Sequence, residues 1–156
     1  MADQLVLEKQ KQAVEILNEK DIDMWLTFVR ETGNLKDPMM DMIVGTGATW
    51  HSAFILTKTG ESIAIIGSLE EANMKTVGTY KTIIPYLKSI REDLVKTITD
   101  LNPNKSNILF FGTGHGLADC VLTRSNYLLE PIYGKNNYNH LSVRSAASIV
   151  LDRLCA

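Results

Sequence analysis

Apolar positions along this chain change their spacing several times, and each change predicts a new element. Val6, Ala13, Val14 and Leu17 fall close to one helical stripe, with Glu8, Lys9, Lys11, Gln12 and Glu15 turned to water. An amphipathic helix is therefore expected up to Asn18-Glu19-Lys20-Asp21. Residues 24–29 are too few for a second helix and rich in strand-favouring side chains, so they read as a buried strand. From Arg30 to Thr49 the pattern lapses, punctuated by Gly33, Pro38, Gly45 and Gly47, and 39–44 fits either a short helix or an extended segment. Residues 54–57 and 62–66 then predict a hairpin around Lys58-Thr59-Gly60-Glu61, with Gly60 supplying the positive φ the turn needs. Its second arm is apolar on both faces, as a central strand would be.

Residues 69–74 predict a short helix capped by Ser68, and 76–80 a further strand. Ile83, Leu87, Ile90, Leu94, Ile98 and Leu101 recur three or four apart and predict one long helix, with Pro85 in its first turn and Asn102-Pro103-Asn104 at its end. Beyond it the expectations are a short strand over 108–111, a helix over 117–129, a loop over 134–139 and a final helix over 145–154. Strands alternating with helices, with one hairpin among them, imply a single α/β domain over 1–156: a mixed β-sheet with helices on both faces.

Composition changes this picture little. A chain of 156 residues with 45% hydrophobic and 22% charged side chains is an ordinary globular domain able to bury a core. The net charge of -2 offers no basic face, so neither nucleic acid nor a membrane surface is expected as a partner. No apolar run reaches the roughly 20 residues that span a bilayer. The start, Met1-Ala2-Asp3-Gln4, has no signal-peptide pattern, and two cysteines, Cys120 and Cys155, make no disulfide framework. A cytoplasmic location is expected.

The helix, the phrase Asp21-Ile22-Asp23-Met24-Trp25-Leu26, the long irregular link, the hairpin 53–66 and the Ile84-Pro85-Tyr86-Leu87 phrase, in that order, are similar to one known layout. Over about residues 4–103 the chain resembles the N-terminal domain of the creatinase/prolidase/aminopeptidase P family of metallohydrolases. The resemblance implies a non-catalytic α/β domain in a homodimer, shaping the pocket of an Xaa-Pro peptidase for a proline-containing peptide. It implies no cofactor or metal in this chain, with a divalent ion (Mn, Co or Zn) held by a separate catalytic domain. The chain departs from that family in two ways. Arg30-Glu31 and Asp37-Pro38 stand where many members carry an aromatic-rich phrase, and nothing up to Ala156 resembles the complete catalytic domain. The alternative is a free-standing small-molecule or protein-interaction module of the same fold, and a third reading is a small hydrolase using His115 or Cys120.

In the resembling family the irregular link approaches the substrate, which makes Arg30, Trp50 and His51 the substrate-pocket candidates. Against this stands a plainer reading, with Trp50 packed under the hairpin and Arg30 paired to Glu31 or Asp37. The phrase Gly112-Thr113-Gly114-His115-Gly116-Leu117 looks like a metal-ligand phrase of the family's catalytic domain, but no other residues show ligand spacing. It reads better as a strand-to-helix turn, with Gly114, His115 and Gly116 as candidates to hold an anion on backbone amides. It is neither the dinucleotide fingerprint nor a phosphate-binding loop. Cys120 is expected to be a buried, inert thiol, and Met39-Met40-x-Met42 to be adaptable packing.

Overall fold

The computed structural model describes residues 4–33, 40–101, 117–125, 128–129, 132, 145–146 and 149–150. The chain parts into two compact units, Met1–Ser106 and Asn107–Ala156.

In the first unit, α1 (Gln4–Glu19) buries Val6, Gln10, Ala13 and Leu17, one residue from each successive turn. The helix ends where Asp21 takes a positive φ of 51°, a conformation aspartate tolerates better than most residues. The strands β1 (Met24–Val29), β2 (Ser52–Thr57), β3 (Ser62–Gly67) and β4 (Thr82–Tyr86) lie side by side in chain order. β1 and β2 are antiparallel, as are β2 and β3, whereas β3 and β4 are parallel. A π-helical turn (Met40–Val44) fills part of the link between β1 and β2. A 3-10 turn (Ser68–Glu70) leads into α2 (Glu71–Val77), and α3 (Arg91–Leu101) follows β4.

Two apolar layers sandwich this mixed sheet. On one face Ala13 and Leu17 of α1, Met40, Ile43 and Val44 of the link and Met74 of α2 pack on Phe54, Leu56, Ala64 and Ile66. On the other, Ile90, Leu94 and Leu101 cover Ala53, Ile55, Ile63 and Ile65. β2 and β3 are thus buried on both sides, which is why their sequences do not alternate. Phe54, Ile55, Ile65 and Ile66 are at most 1% exposed, each contributing about 1.5–3 kcal/mol by burial. Three buried polar side chains of this layer are partnered: Gln10 Nε2 and Tyr80 Oη both donate to the Ile43 carbonyl, at 2.8 and 3.1 Å, and Thr79 Oγ1 donates to that of Val44.

The hairpin is as expected, with Gly60 at φ 83°. Its turn is held to the α1–β1 corner by Lys58, whose Nζ sits 2.8 Å from Asp21 Oδ1 and 2.7 Å from Asp23 Oδ1. Asn18 Nδ2 donates to the Lys58 carbonyl, and the Lys58 amide donates to that of Asp23.

Several expectations are corrected. β1 is an edge strand, and Phe28 is 49% exposed on it. Ser68 caps nothing with its side chain and lies inside the 3-10 turn. Residues 76–80 are no strand: α2 runs to Val77 and stops at Gly78, whose φ of 67° gives a left-handed cap. The long helix expected from Ile83 is a strand followed by a helix. Pro85 is accommodated because β4 is the other edge, where a missing amide donor costs no ladder bond. Ser89 Oγ accepts the Arg91 amide at the start of α3. In the second unit the described helix is α4 (Asp119–Leu122), with helical backbone again at 145–146 and 149–150, so the expected helix over 117–129 is cut to one turn among the described residues. The expected strand over 108–111 lies outside the described residues.

Candidate functional site

The three pocket candidates come together at one end of the sheet. Arg30 leaves β1, Trp50 and His51 enter β2, and β3 and β4 finish beside them at Gly67 and Tyr86. For the parallel pair this is the carboxyl end, the place where open α/β sheets bind ligands.

Strand register explains the grouping. Phe28 pairs with Ala53, so Arg30 and His51 continue the same face one step further, where the ladder has just ended. The Phe28 and His51 rings stack with centroids 5.8 Å apart and an interplanar angle of 29°. Tyr86 Oη donates to the His51 carbonyl at 2.8 Å, and its ring lies 5.9 Å from that of Trp50. Gly67 lets Trp50 settle onto the strand: a Cβ there would lie 2.6 Å from the indole Cε3. Burial, then the nearby Glu70 carboxylate, push the Tyr86 phenol above its usual range, and Arg30 pulls the other way. Arg30 itself pairs with Glu31 at 2.9 Å in an exposed bridge. Such a pair contributes little, so the guanidinium is easily given up to a ligand.

Both plainer readings hold in part, since Trp50 is half-buried in the core layer and Arg30 pairs with Glu31. The arrangement nevertheless leaves Phe28, His51 and Arg30 exposed side by side. Sequence reasoning missed Phe28 and Tyr86. The signal for Phe28 was available in the two-residue period, which puts it on the face of Arg30.

On the opposite face the Glu70 side chain accepts the Thr49 amide through Oε1, while its buried Oε2 meets no protein partner. Beside it Asn73 Nδ2 donates to Thr46 Oγ1 at 2.8 Å, and a cavity of about 10 Å³ lies between them and Phe54, Ile66 and Met74. That is room for a single water.

Cys120 is exposed on α4, against the expectation of a buried thiol. Gly114, His115, Gly116 and Cys155 lie outside the described residues. Among the described residues no three His, Cys, Asp or Glu side chains gather to hold a metal ion. Among them also, no helix is long and apolar enough to cross a membrane.

Residues 45–156 match the model of a family described as SAM-dependent RNA methyltransferase. Three relatives share shorter stretches. An uncharacterized protein of Aquifex aeolicus is 53% identical over 47 residues, 30% of this chain and 23% of its own. A tRNA (guanine-N(1)-)-methyltransferase of Oleidesulfovibrio alaskensis is 54% identical over 50 residues, 32% of this chain and 12% of its own. One of the same description from Nitratidesulfovibrio vulgaris is 55% identical over 47 residues, 30% and 11% of the two chains. The chain thus spans less than a quarter of the length of each relative in these matches.

These matches overturn the expected membership of the creatinase/prolidase/aminopeptidase P family, and with it the peptidase and hydrolase reading and the proline-containing peptide. The expectation that nucleic acid plays no part falls too, because the matching family acts on RNA. The physical reason is that a helix, a strand and a hairpin in a given order specify a layout that unrelated functions share. A net charge near zero, for its part, averages over a surface and does not report on one end of a sheet.

Proposed function

Since this chain belongs to the family of SAM-dependent RNA methyltransferases, we propose that it serves methyl transfer from S-adenosylmethionine to RNA, with tRNA as the substrate class. The observation that carries this reading is the match across 45–156, which takes in three of the four strands and the whole second unit. The tRNA methyltransferase activity named for two relatives supports tRNA as substrate. The cytoplasmic location expected from the sequence belongs to the same proposal.

A ligand of this size fills a pocket of roughly 300 Å³ or more. The cavity beside Glu70, at about 10 Å³, does not fit it. The group itself supplies an electrophilic methyl on a sulfonium. Gly114, His115 and Gly116, inside the family match, are kept in this proposal as the anion candidates expected from the sequence. Arg30, Trp50 and His51 are proposed to face the RNA.

The test incubates the purified protein with methyl-tritiated S-adenosylmethionine and unmodified tRNA transcript, and counts label in the RNA. Label in the RNA is expected. No label, together with no heat of cofactor binding in calorimetry, would sink the reading.

A further inference from the structure

The exposed aromatic row at the end of the sheet is built like a stacking surface, and its chemistry selects one kind of occupant. Phe28 and His51 already lie in one stack, with 49% of Phe28 open to solvent. A stack of two rings with an uncovered face is completed by a third flat ring. Behind it the buried Tyr86 fixes the His51 backbone by its hydrogen bond, and the half-buried Trp50 braces Tyr86. The platform is therefore preorganised, and a ring that docks on it orders little of the protein.

Charge narrows the choice. Arg30 lies one register step beyond Phe28 on the same face, exposed and paired with Glu31 in a surface bridge. Lys88 and Arg91, both exposed, follow Tyr86 within five residues. Aromatic rings with a cation beside them suit a flat ring attached to a phosphate chain, and bases are free to stack in this way only where the strand is unpaired. An apolar peptide would use the rings but not the cations, and a duplex would use the cations but not the rings.

We propose that Phe28 and His51 form a stacking platform for an unpaired RNA base, with Arg30 reaching its phosphate chain. The inference rests on the RNA-methylating reading and adds the part of the RNA that the first unit takes: a loop or single-stranded end, bound by stacking and not by groove contacts.

The test is fluorescence anisotropy of the full chain with a labelled unpaired 10-mer RNA and with the same sequence as a duplex. The variants are Phe28→Ala, His51→Ala, His51→Phe and Arg30→Ala, each checked for unchanged circular dichroism and melting. Loss of one stacking ring is expected to weaken single-strand binding about tenfold, in line with alanine substitutions at other base-stacking sites. His51→Phe keeps a ring and restores binding to within about twofold of the parent. Arg30→Ala lowers affinity and flattens its salt dependence. The inference is overturned if Phe28→Ala and His51→Ala bind as the parent does, if the duplex binds as well as the single strand, or if no RNA binds. Methyl transfer is measured on the same samples. Stacking-dependent binding without transfer removes the proposed activity and leaves the platform; transfer with ring-independent binding removes the platform alone.

Discussion

Replacing Gly67 by alanine tests whether Trp50 is locked where it lies. Gly67 has φ -60° and ψ 140°, extended backbone that alanine adopts freely. By the backbone alone the change stabilises, by about 0.4–1 kcal/mol, because the unfolded chain loses freedom. Against that, the new Cβ would meet indole atoms Cε3, Cδ2 and Cγ at 2.6, 2.8 and 3.0 Å, all under or at the limit of real contacts. The indole is rigid and rests on Tyr86, so it must tilt away, and overpacking of this kind costs about 1–3 kcal/mol. The clash wins, with a net loss of about 1–2 kcal/mol. Both tryptophans, Trp25 and Trp50, lie in the first unit, so urea unfolding followed by their fluorescence reports on that unit. The midpoint should fall by roughly 0.5–1 M for a slope of about 2 kcal/mol per molar urea. In a Trp50→Leu background, with Trp25 as the remaining reporter, the same substitution should be neutral or stabilising. A higher midpoint for Gly67→Ala in the parent protein would refute the packing argument.

Three further outcomes follow from other parts of the first unit. Burial holds the Tyr80 phenol neutral above its ordinary value of 10.0, so stability is intact below about pH 10 and is lost as pH rises beyond it. Tyr80→Phe should remove that alkaline limb while costing about 0.5–1.5 kcal/mol at neutral pH through the hydrogen bond to Ile43, both read from urea midpoints against pH. Lys58 lowers the Asp21 carboxyl below 3.8, so its support is present at neutral pH and fades as pH falls through that depressed value; Lys58→Met should flatten the acid limb, and added salt should shrink its effect at neutral pH. The Cβ of Gly60→Ala meets nothing within 4 Å, so its expected cost of about 1–2 kcal/mol in thermal or urea unfolding comes from the positive φ alone.

Much of the first unit was legible because its sequence obeys simple periods. The α1 stripe, the β1 limits and the Gly60 turn are local facts, and they stand as read. The error over 83–101 came from a coincidence of spacing. Ile83 happens to fall four residues before Leu87, but Leu87 is 77% exposed and Ile83 belongs to a strand, so the apparent stripe joins two elements. The sequence marked Arg30, Trp50 and His51 at the ends of the irregular link, whereas Phe28 and Tyr86 sit inside elements and come beside them only through register with β2 and β3. Function was not legible from layout.

The side-by-side order of the four strands carries a consequence for how the chain acquires its shape. Every strand pairs with the one made just before it, so no strand has to wait for a distant partner or thread between two already formed. β2 and β3, joined by a four-residue turn, close the shortest loop and bury the most, and are expected to zip first, with β1 and β4 added outward. Synthesis from the N-terminus therefore never exposes β2 without a neighbour for longer than its own hairpin takes to emerge. Pulse-labelled amide exchange during refolding should protect Ala53–Ile55 and Ile63–Ile65 before Thr82–Tyr86, and the reverse order would refute outward growth.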